Sequence, residues 1–184
     1  MKYRDDLSYD FVSSILDYFP ESGKIYWKPR TPDMFEGKNR SPEHCCSIWN
    51  AKNSGKQITY KNNYNYILAR IYGNAYQVSR IAWLLFYKEW PCDEIDHING
   101  IRSDNRILNL RIANRSQQGF NRSIQKNNSV GLKGVSWCKI KNKWRSRTTI
   151  KRKEIFLGYF NTPEEAYAAY KKAAIQLHGE YVRI

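Results

Sequence analysis

A polar stretch from Arg122 to Gly131 divides this chain of 184 residues. Its sequence, RSIQKNNSVG, is rich in Asn and Ser and has hardly any apolar residues, which is the composition of a linker. Neither side of the stretch is long enough for more than one ordinary domain. We therefore predict two small domains, residues 1–122 and residues 131–184, joined by a linker at residues 123–130.

The charge of the chain is high and unevenly distributed. The chain has 31 Lys and Arg against 17 Asp and Glu, a net charge of +14, of which residues 123–184 carry +9 and residues 92–122 only +1. Such an excess of cations indicates a polyanionic partner, either nucleic acid or an anionic membrane surface. No apolar run approaches the ~18 residues of a membrane span, and the N-terminus has no apolar core of a signal peptide. We expect a cytoplasmic protein, neither secreted nor membrane-spanning.

The first domain has the pattern of mixed helices and strands. Apolar residues at helical spacing between Phe11 and Phe19 predict a helix that Pro20 ends. A strand is expected at residues 24–28, a hairpin between residues 65 and 78, and a buried helix over residues 81–87. The polar stretch between residues 30 and 65 has no periodicity that assigns it to an element.

Residues 94–121 carry the candidate chemistry. A strand at residues 94–97 would place Asp96 and His97 side by side, and an Asn-rich loop then leads to a second strand at residues 110–113 and a polar helix from about Asn114. Phosphodiester hydrolysis needs a base to activate water and a cation to stabilise charge on the phosphate. Histidine is the natural base near neutral pH, and a carboxylate is a hard ligand for Mg²⁺. Adjacent strand residues point to opposite faces, so the two side chains serve separate roles only where the strand ends or twists.

Three short segments of this region, DHING (96–100), DNR (104–106) and NLR (109–111), resemble the motif of HNH endonucleases of the ββα-metal class. The resemblance is strongest to phage homing endonucleases, which have Asn at the third motif position. It implies that His97 is the general base, that Asp96 is a metal ligand, and that Asn109 braces the loop and orients the histidine. Asn105 belongs to the same catalytic set, although it could instead cap the short helix that follows. One Mg²⁺ or Mn²⁺ ion per site is implied, with no small-molecule cofactor.

The second metal ligand departs from the family pattern. The resemblance places an Asn nine residues after Asn109, where this chain has Gln118. Glutamine keeps the carboxamide oxygen but adds a methylene, which displaces the oxygen in a site that needs tight geometry. Asn121 lies one helical turn further on and is the alternative ligand. Either the metal site adapts, or the chain is impaired as a nuclease.

The last third of the chain has the pattern of three strands and a helix. Strands are expected at residues 133–139, 143–150 and 154–159, and the second alternates between a packing face and a face with Arg145 and Arg147. Thr162-Pro163-Glu164-Glu165 then combines an N-cap, a proline at the first helical position and a capping-box glutamate. Together with the first domain, this predicts an α+β protein: a ββα-metal core with an N-terminal α/β extension, then a three-stranded antiparallel sheet packed on one helix.

The sequence from Gly134 to Tyr181 resembles the Apetala-type ethylene-response-factor DNA-binding domain, through GV (134–135), KW (143–144), LGYF (157–160) and EEA (164–166). That family docks its sheet in the major groove, which admits a β-ribbon. The resemblance implies base or phosphate contacts by Arg145 and Arg147. Trp137 could contact DNA, although a Trp on a small sheet is more often part of the core. Contacts mainly to phosphate are implied for Lys139, Lys141, Lys151 and Arg152.

The two resemblances together predict an HNH endodeoxyribonuclease of the phage homing type. Its partner would be double-stranded DNA, with no membrane partner, as a monomer or weak dimer, in the host bacterial cytoplasm if the chain is phage-encoded. Affinity and chemistry would then belong to different domains, because most of the charge lies outside the motif. The alternative is a non-catalytic, sequence-specific DNA-binding regulator with a decayed HNH site, and Gln118 is the observation that supports it.

Overall fold

The chain folds into two compact units, Met1–Ile112 and Ala113–Ile184, in a computed structural model. The structure describes residues 4–35, 40–114, 117, 121, 124, 128, 130–150 and 153–182. Its mixed helices and small antiparallel sheets confirm the predicted α+β class. The linker at residues 123–130 falls mostly outside the described residues, so the boundary at residue 122 stays a prediction. No helix in the described part of the chain is long and apolar enough to cross a membrane.

The first unit opens with a short helix that continues directly into a hairpin. Helix α1 (Tyr9–Ile15) begins at the N-cap Ser8 and buries Val12 and Ile15. The predicted helix through Phe19 was wrong, because Leu16–Phe19 forms strand β1 and pairs antiparallel with β2 (Lys24–Trp27). Cross-strand pairing and the burial of Leu16 outweigh the helical spacing of the apolar residues. The strand predicted at residues 24–28 is confirmed.

The rest of this unit surrounds one apolar core. The segment without a sequence assignment contains helix α2 (Pro42–Asn53), which Ser41 caps. Strands β3 (Leu68–Ile71) and β4 (Asn74–Gln77) form the predicted hairpin, and helix α3 (Val78–Tyr87) follows directly. The core clusters side chains from α1, β1 to β4 and α3 with Ile58, Ile95 and Leu110. Its most deeply buried large members are Ile15, Leu16, Ile25, Ile71, Ile81 and Leu84.

The candidate motif lies on the last two strands of the unit. Strand β5 (Glu94–His97) pairs with β6 (Leu110–Ala113), and a 3₁₀ turn at Ile107–Asn109 precedes β6, so both predicted strands are confirmed. Arg80 on α3 fastens the chain before β5: its guanidinium donates to the backbone oxygens of Pro91 (3.0 Å) and Asp93 (2.7 Å) and pairs with Asp5. The start of β5 is therefore fixed to the helix behind it.

The second unit is a three-stranded sheet with one helix. Strands β7 (Val135–Cys138), β8 (Lys143–Ile150) and β9 (Lys153–Phe160) pair antiparallel in chain order, and helix α4 (Pro163–His178) packs on them. Ser146 and Thr148 of β8 are buried, as the alternation predicts. The capping box of Thr162 and Glu165 is present. Gly134 allows close packing, because a Cβ there would lie 2.1 Å from the Tyr170 ring.

Candidate active site

Asp96 and His97 occupy the end of β5, and both are buried. Because they are neighbours on a strand, their side chains leave it toward opposite faces. Each has its own polar partner from the segment that follows, Arg111 for Asp96 and Asn105 for His97. The predicted pair is therefore divided into two environments.

The His97 imidazole is held by Asn105. His97 Nε2 lies 3.1 Å from Asn105 Oδ1, and the histidine is only 3% exposed. Burial lowers the pKa of His97 below its ordinary value of 6.5 and outweighs the Asn105 hydrogen bond and the charges of Asp96 and Asp104, which raise it. The ring is consequently neutral at physiological pH. With Asn105 Oδ1 as the acceptor, Nε2 carries the proton and Nδ1 the lone pair of a base.

Asn105 is itself fixed by the first hairpin. Its backbone oxygen accepts from the Tyr18 hydroxyl at 2.8 Å, and two residues on, the Ile107 amide donates to the Pro20 oxygen at 3.0 Å. The Asn105 side chain is 1% exposed, and its Nδ2 has no hydrogen-bond partner within the described residues. An unsatisfied buried donor is unfavourable by about 1–3 kcal/mol. Such unsatisfied buried groups are rare in native folds, and this one lies beside His97.

Asn109 braces the motif loop. Its Nδ2 donates to the Asp104 backbone oxygen (2.8 Å), its Oδ1 accepts from the Asn99 amide (3.0 Å), and its backbone oxygen accepts from the Ile98 amide (2.9 Å). The bracing expected of Asn109 is thus visible in the structure. Asn105 contributes a hydrogen bond to the His97 ring, and the orienting role expected of Asn109 stays a prediction.

Asp104 has a structural function in the same loop. Asn99 Nδ2 donates to Asp104 Oδ2 at 2.7 Å, and Arg106 Nε and Nη2 bind the carboxylate at 2.8 and 2.6 Å. The Arg106 hydrogen bonds are the main reason that the pKa of Asp104 falls to about 2. This carboxylate therefore stays ionised and locks the loop conformation.

Asp96 faces a cation from its own fold. Arg111 on β6 donates to Asp96 Oδ2 through Nε (3.0 Å) and Nη2 (2.8 Å), and both side chains are 11% exposed. The sequence pattern marked Asp96 as a ligand but did not reveal this partner. Within the described residues, no three His, Cys, Asp or Glu side chains converge.

The two alternatives for the second metal ligand lie beyond the first unit. Gln118 is outside the described residues, and Asn121 is buried in the second unit. The helix predicted from Asn114 falls mostly outside the described residues and stays a prediction. The Asn114 amide donates to Gln117 Oε1 (2.8 Å) and the Gln117 amide to Asn114 Oδ1 (3.0 Å), the reciprocal bonds of a capping box.

The two arginines predicted to contact DNA lie on one face of the sheet in the second unit. Arg145 and Arg147 lie on the face of β8 opposite the buried Ser146 and Thr148. Arg147 Nη1 pairs with Glu154 at 2.6 Å, and Arg145 Nε lies 3.4 Å from Ser136 Oγ. Lys139 and Lys141 are exposed near the β7–β8 turn, whereas Lys151 and Arg152 lie outside the described residues.

Two aromatic residues on this face were missed by the sequence reasoning. Phe156 and Tyr159 are 54% and 40% exposed, their rings are 4.9 Å apart, and they lie opposite Arg147 and Arg145 in the sheet register. Trp137 pairs with Trp144, 5.1 Å between rings, so it lies on the other face, with the buried Val135. Trp137 is nevertheless 44% exposed, so the DNA contact expected of it stays a prediction.

Comparison with known proteins gives three findings. The HNH endonuclease family model matches residues 76–120, the segment that contains β5, the motif loop and β6. The chain is 33% identical over 91 residues to protein 3.8 of Escherichia phage T7, covering 48% of this chain and 73% of that protein. It is 31% identical over 98 residues to the ethylene-responsive transcription factor WRI1 of Arabidopsis thaliana, covering 52% of this chain but only 21% of that protein. No solved structure matches significantly.

Proposed function

This chain belongs to the family of protein 3.8 of Escherichia phage T7 and contains an HNH endonuclease domain, and from that premise we propose that it is a metal-dependent DNA endonuclease of the phage homing type. An HNH nuclease domain implies a nucleic-acid substrate. The observation that carries the proposal is the environment of His97: a buried, neutral imidazole held by Asn105, one residue from a buried carboxylate.

The chemistry assigned to the protein side chains is general base catalysis. A water molecule gives a proton to His97 Nδ1 while its oxygen bonds to phosphorus, and the bond from phosphorus to one bridging ester oxygen breaks. Asn105 holds Nε2–H, so the lone pair stays on Nδ1 and the ring keeps one orientation. Asn109 and Asp104 keep the loop that presents Asn105 in place.

The residues present fit a hard divalent ion. The buried Asp96 carboxylate is the ligand chemistry that Mg²⁺ or Mn²⁺ prefers, and a bound ion would have to share or displace its ion pair with Arg111. Asp96 would hold one ion together with Gln118 or Asn121, the two amide ligands proposed from the sequence. When bound, the ion supplies stabilisation of the charge that develops on the phosphate.

The second unit is proposed to position the duplex. Its support is the basic face of that unit, which consists of Arg145, Arg147, Phe156 and Tyr159. Residues 123–184, which include this face, carry +9 of the net charge. Guanidinium groups and exposed rings are the side chains typical of nucleic-acid contacts. Binding to phosphates would make the affinity fall steeply with salt.

Nicking of a supercoiled plasmid tests the nuclease proposal. We expect nicking by this chain with Mg²⁺ or Mn²⁺ and none with EDTA. Gln118→Asn shortens the amide by one methylene to the length that the HNH motif has at this position, and should nick faster. If neither the natural chain nor the Gln118→Asn variant nicks the plasmid while both bind duplex DNA tightly, the proposal is overturned.

That outcome would favour a second function, a non-catalytic DNA-binding regulator with a decayed nuclease site. Two observations support this alternative: Gln118 replaces the expected Asn, and Arg111 occupies the Asp96 carboxylate. Clear metal-dependent nicking by the natural sequence would exclude it.

The pH dependence of nicking should reflect the lowered pKa of His97. Because burial favours the neutral ring, the base form persists to a lower pH than in free histidine, so activity should be retained at pH 6.5 and decline only below it. The Asn105 hydrogen bond raises this pKa, and Asn105→Ala should therefore move the acid limb to still lower pH while reducing the rate. Rates between pH 5 and 8 at constant ionic strength measure both effects. An acid limb centred well above pH 6.5 would contradict the assignment.

A further inference from the structure

Three arginines lie between His97 and Ile112, and they differ in whether a carboxylate pairs with them. Arg106 is paired with Asp104 and Arg111 with Asp96. Arg102 is exposed, and no carboxylate of the described residues lies within ion-pair distance of its guanidinium. Since a guanidinium has five N–H donors, most of its capacity stays available for an anion.

Arg102 is held in position although it is exposed. Its Nη1 donates to the Tyr64 backbone oxygen at 3.2 Å, and its guanidinium carbon lies 5.0 Å from the centre of the Tyr66 ring. A cation over an aromatic face at this distance is stabilised by about 0.5–1 kcal/mol at an exposed site. One hydrogen bond and one ring therefore restrict the side chain, which stays exposed to solvent.

The same ring connects Arg102 to the candidate base. The centroids of Tyr66 and His97 are 6.1 Å apart, at an interplanar angle of 51°. Tyr66 thus lies between the buried imidazole and an exposed cation. The Arg102 charge acts on the His97 ring, where it lowers the pKa, so this exposed cation lies close to the candidate base.

The segment that carries Tyr64 and Tyr66 is rigid by its own hydrogen bonds. Asn62 Oδ1 accepts from the amides of Tyr64 and Tyr66, both at 3.0 Å, and the Asn62 amide donates to the Tyr66 oxygen at 3.0 Å. A bridge between Lys61 and Ile67 closes this loop of residues 61–67. These hydrogen bonds form an Asx turn and restrict the backbone that contacts Arg102.

We propose that Arg102, supported by the loop of residues 61–67, binds a backbone phosphate of the strand whose phosphodiester faces His97. Arg102 would position the substrate, and Tyr66 would position Arg102. The inference rests on the proposed nuclease function and extends it, because it gives the first unit its own phosphate contact, separate from the basic face of the second unit.

The test compares Arg102→Gln with Arg106→Gln in the full chain. Both changes remove one positive charge from the same loop, but Asp104 already compensates the charge of Arg106. Arg102→Gln should reduce kcat/KM for plasmid nicking roughly 10- to 100-fold, the effect of losing a charge-assisted hydrogen bond. Binding is measured in EDTA with a 30-bp duplex, a length of about three helical turns. For Arg102→Gln, the slope of the logarithm of the association constant against the logarithm of the salt concentration should become shallower by about 0.9, the value of one phosphate contact. Arg106→Gln should leave that slope unchanged.

Substitutions of Tyr66 separate positioning from folding. Tyr66→Phe keeps the ring and should behave as the natural chain, whereas Tyr66→Leu should reproduce the kinetic loss of Arg102→Gln at an unchanged Tm. Equal salt slopes and equal kcat/KM for the Arg102 and Arg106 variants would overturn the proposal. If the natural chain does not nick, the nuclease proposal fails, and the salt slopes alone still decide whether Arg102 binds phosphate.

Discussion

His97→Ala should reduce plasmid nicking by about 10²–10⁴-fold, the range that a positioned general base contributes. The substitution removes the ring that Asn105 Oδ1 contacts and, with it, the proposed acceptor of the water proton. Duplex affinity should stay within a factor of a few, because the basic face belongs to the second unit. The measurements are initial nicking rates with Mg²⁺ or Mn²⁺ and duplex binding in EDTA.

His44→Ala is the matched control for this prediction. His44 is exposed on α2, and the hydrogen bond recorded there comes from its backbone amide to the Ser41 cap. Its loss should change neither nicking nor binding. Equal loss of cleavage and binding in His97→Ala, together with a large fall in Tm, would identify His97 as a structural residue. Undiminished nicking would show that another group activates the water.

The position of the candidate base could be predicted from sequence, but its partner could not. Strand alternation and the short spacing of Asp96, His97 and Asn109 are local properties, and β5, the loop and β6 form where those properties indicate. The partner of His97 depends on which of two nearby asparagines faces the ring. Tertiary contacts decide that, through the bonds of Tyr18 and Pro20 to the segment at Asn105 and Ile107.

On the basic face, too, the sequence predicted some residues and missed others, but for a different physical reason. Alternation along β8 correctly separates Arg145 and Arg147 from the buried Ser146 and Thr148. On β9, Phe156 and Tyr159 share a face although they are three residues apart, because the register shifts at the bulge opposite Ser146 and Arg147. Regular strand alternation places every second residue on one face, so it does not predict that Phe156 and Tyr159 share a face. The Arg111 partner of Asp96 was missed because each residue was assigned separately, whereas β5–β6 pairing brings them together.

Gly23→Ala should lower the free energy of unfolding by about 2–4 kcal/mol and reduce nicking even where the protein remains folded. Gly23 has a φ of +69°, and a Cβ there would lie 2.3 Å from the Arg106 nitrogen and 2.5 Å from the Asn105 carbonyl carbon. Both contacts are to backbone, so a side-chain rotation cannot relieve them. The segment that holds Asn105 against His97 must move.

Gly55→Ala isolates this steric effect from backbone strain. Gly55 has a similar φ of +73°, but a Cβ there would meet nothing within 4 Å. Its substitution should therefore show only the conformational cost of a left-handed residue, about 1 kcal/mol, with nicking unchanged. Denaturant unfolding and nicking rates at a temperature where each variant is folded give the comparison. If the two variants lose equal stability and equal activity, the first hairpin does not position the motif loop; a selective loss in Gly23→Ala shows that the contact at Asn105 and Arg106 sets the geometry of the base.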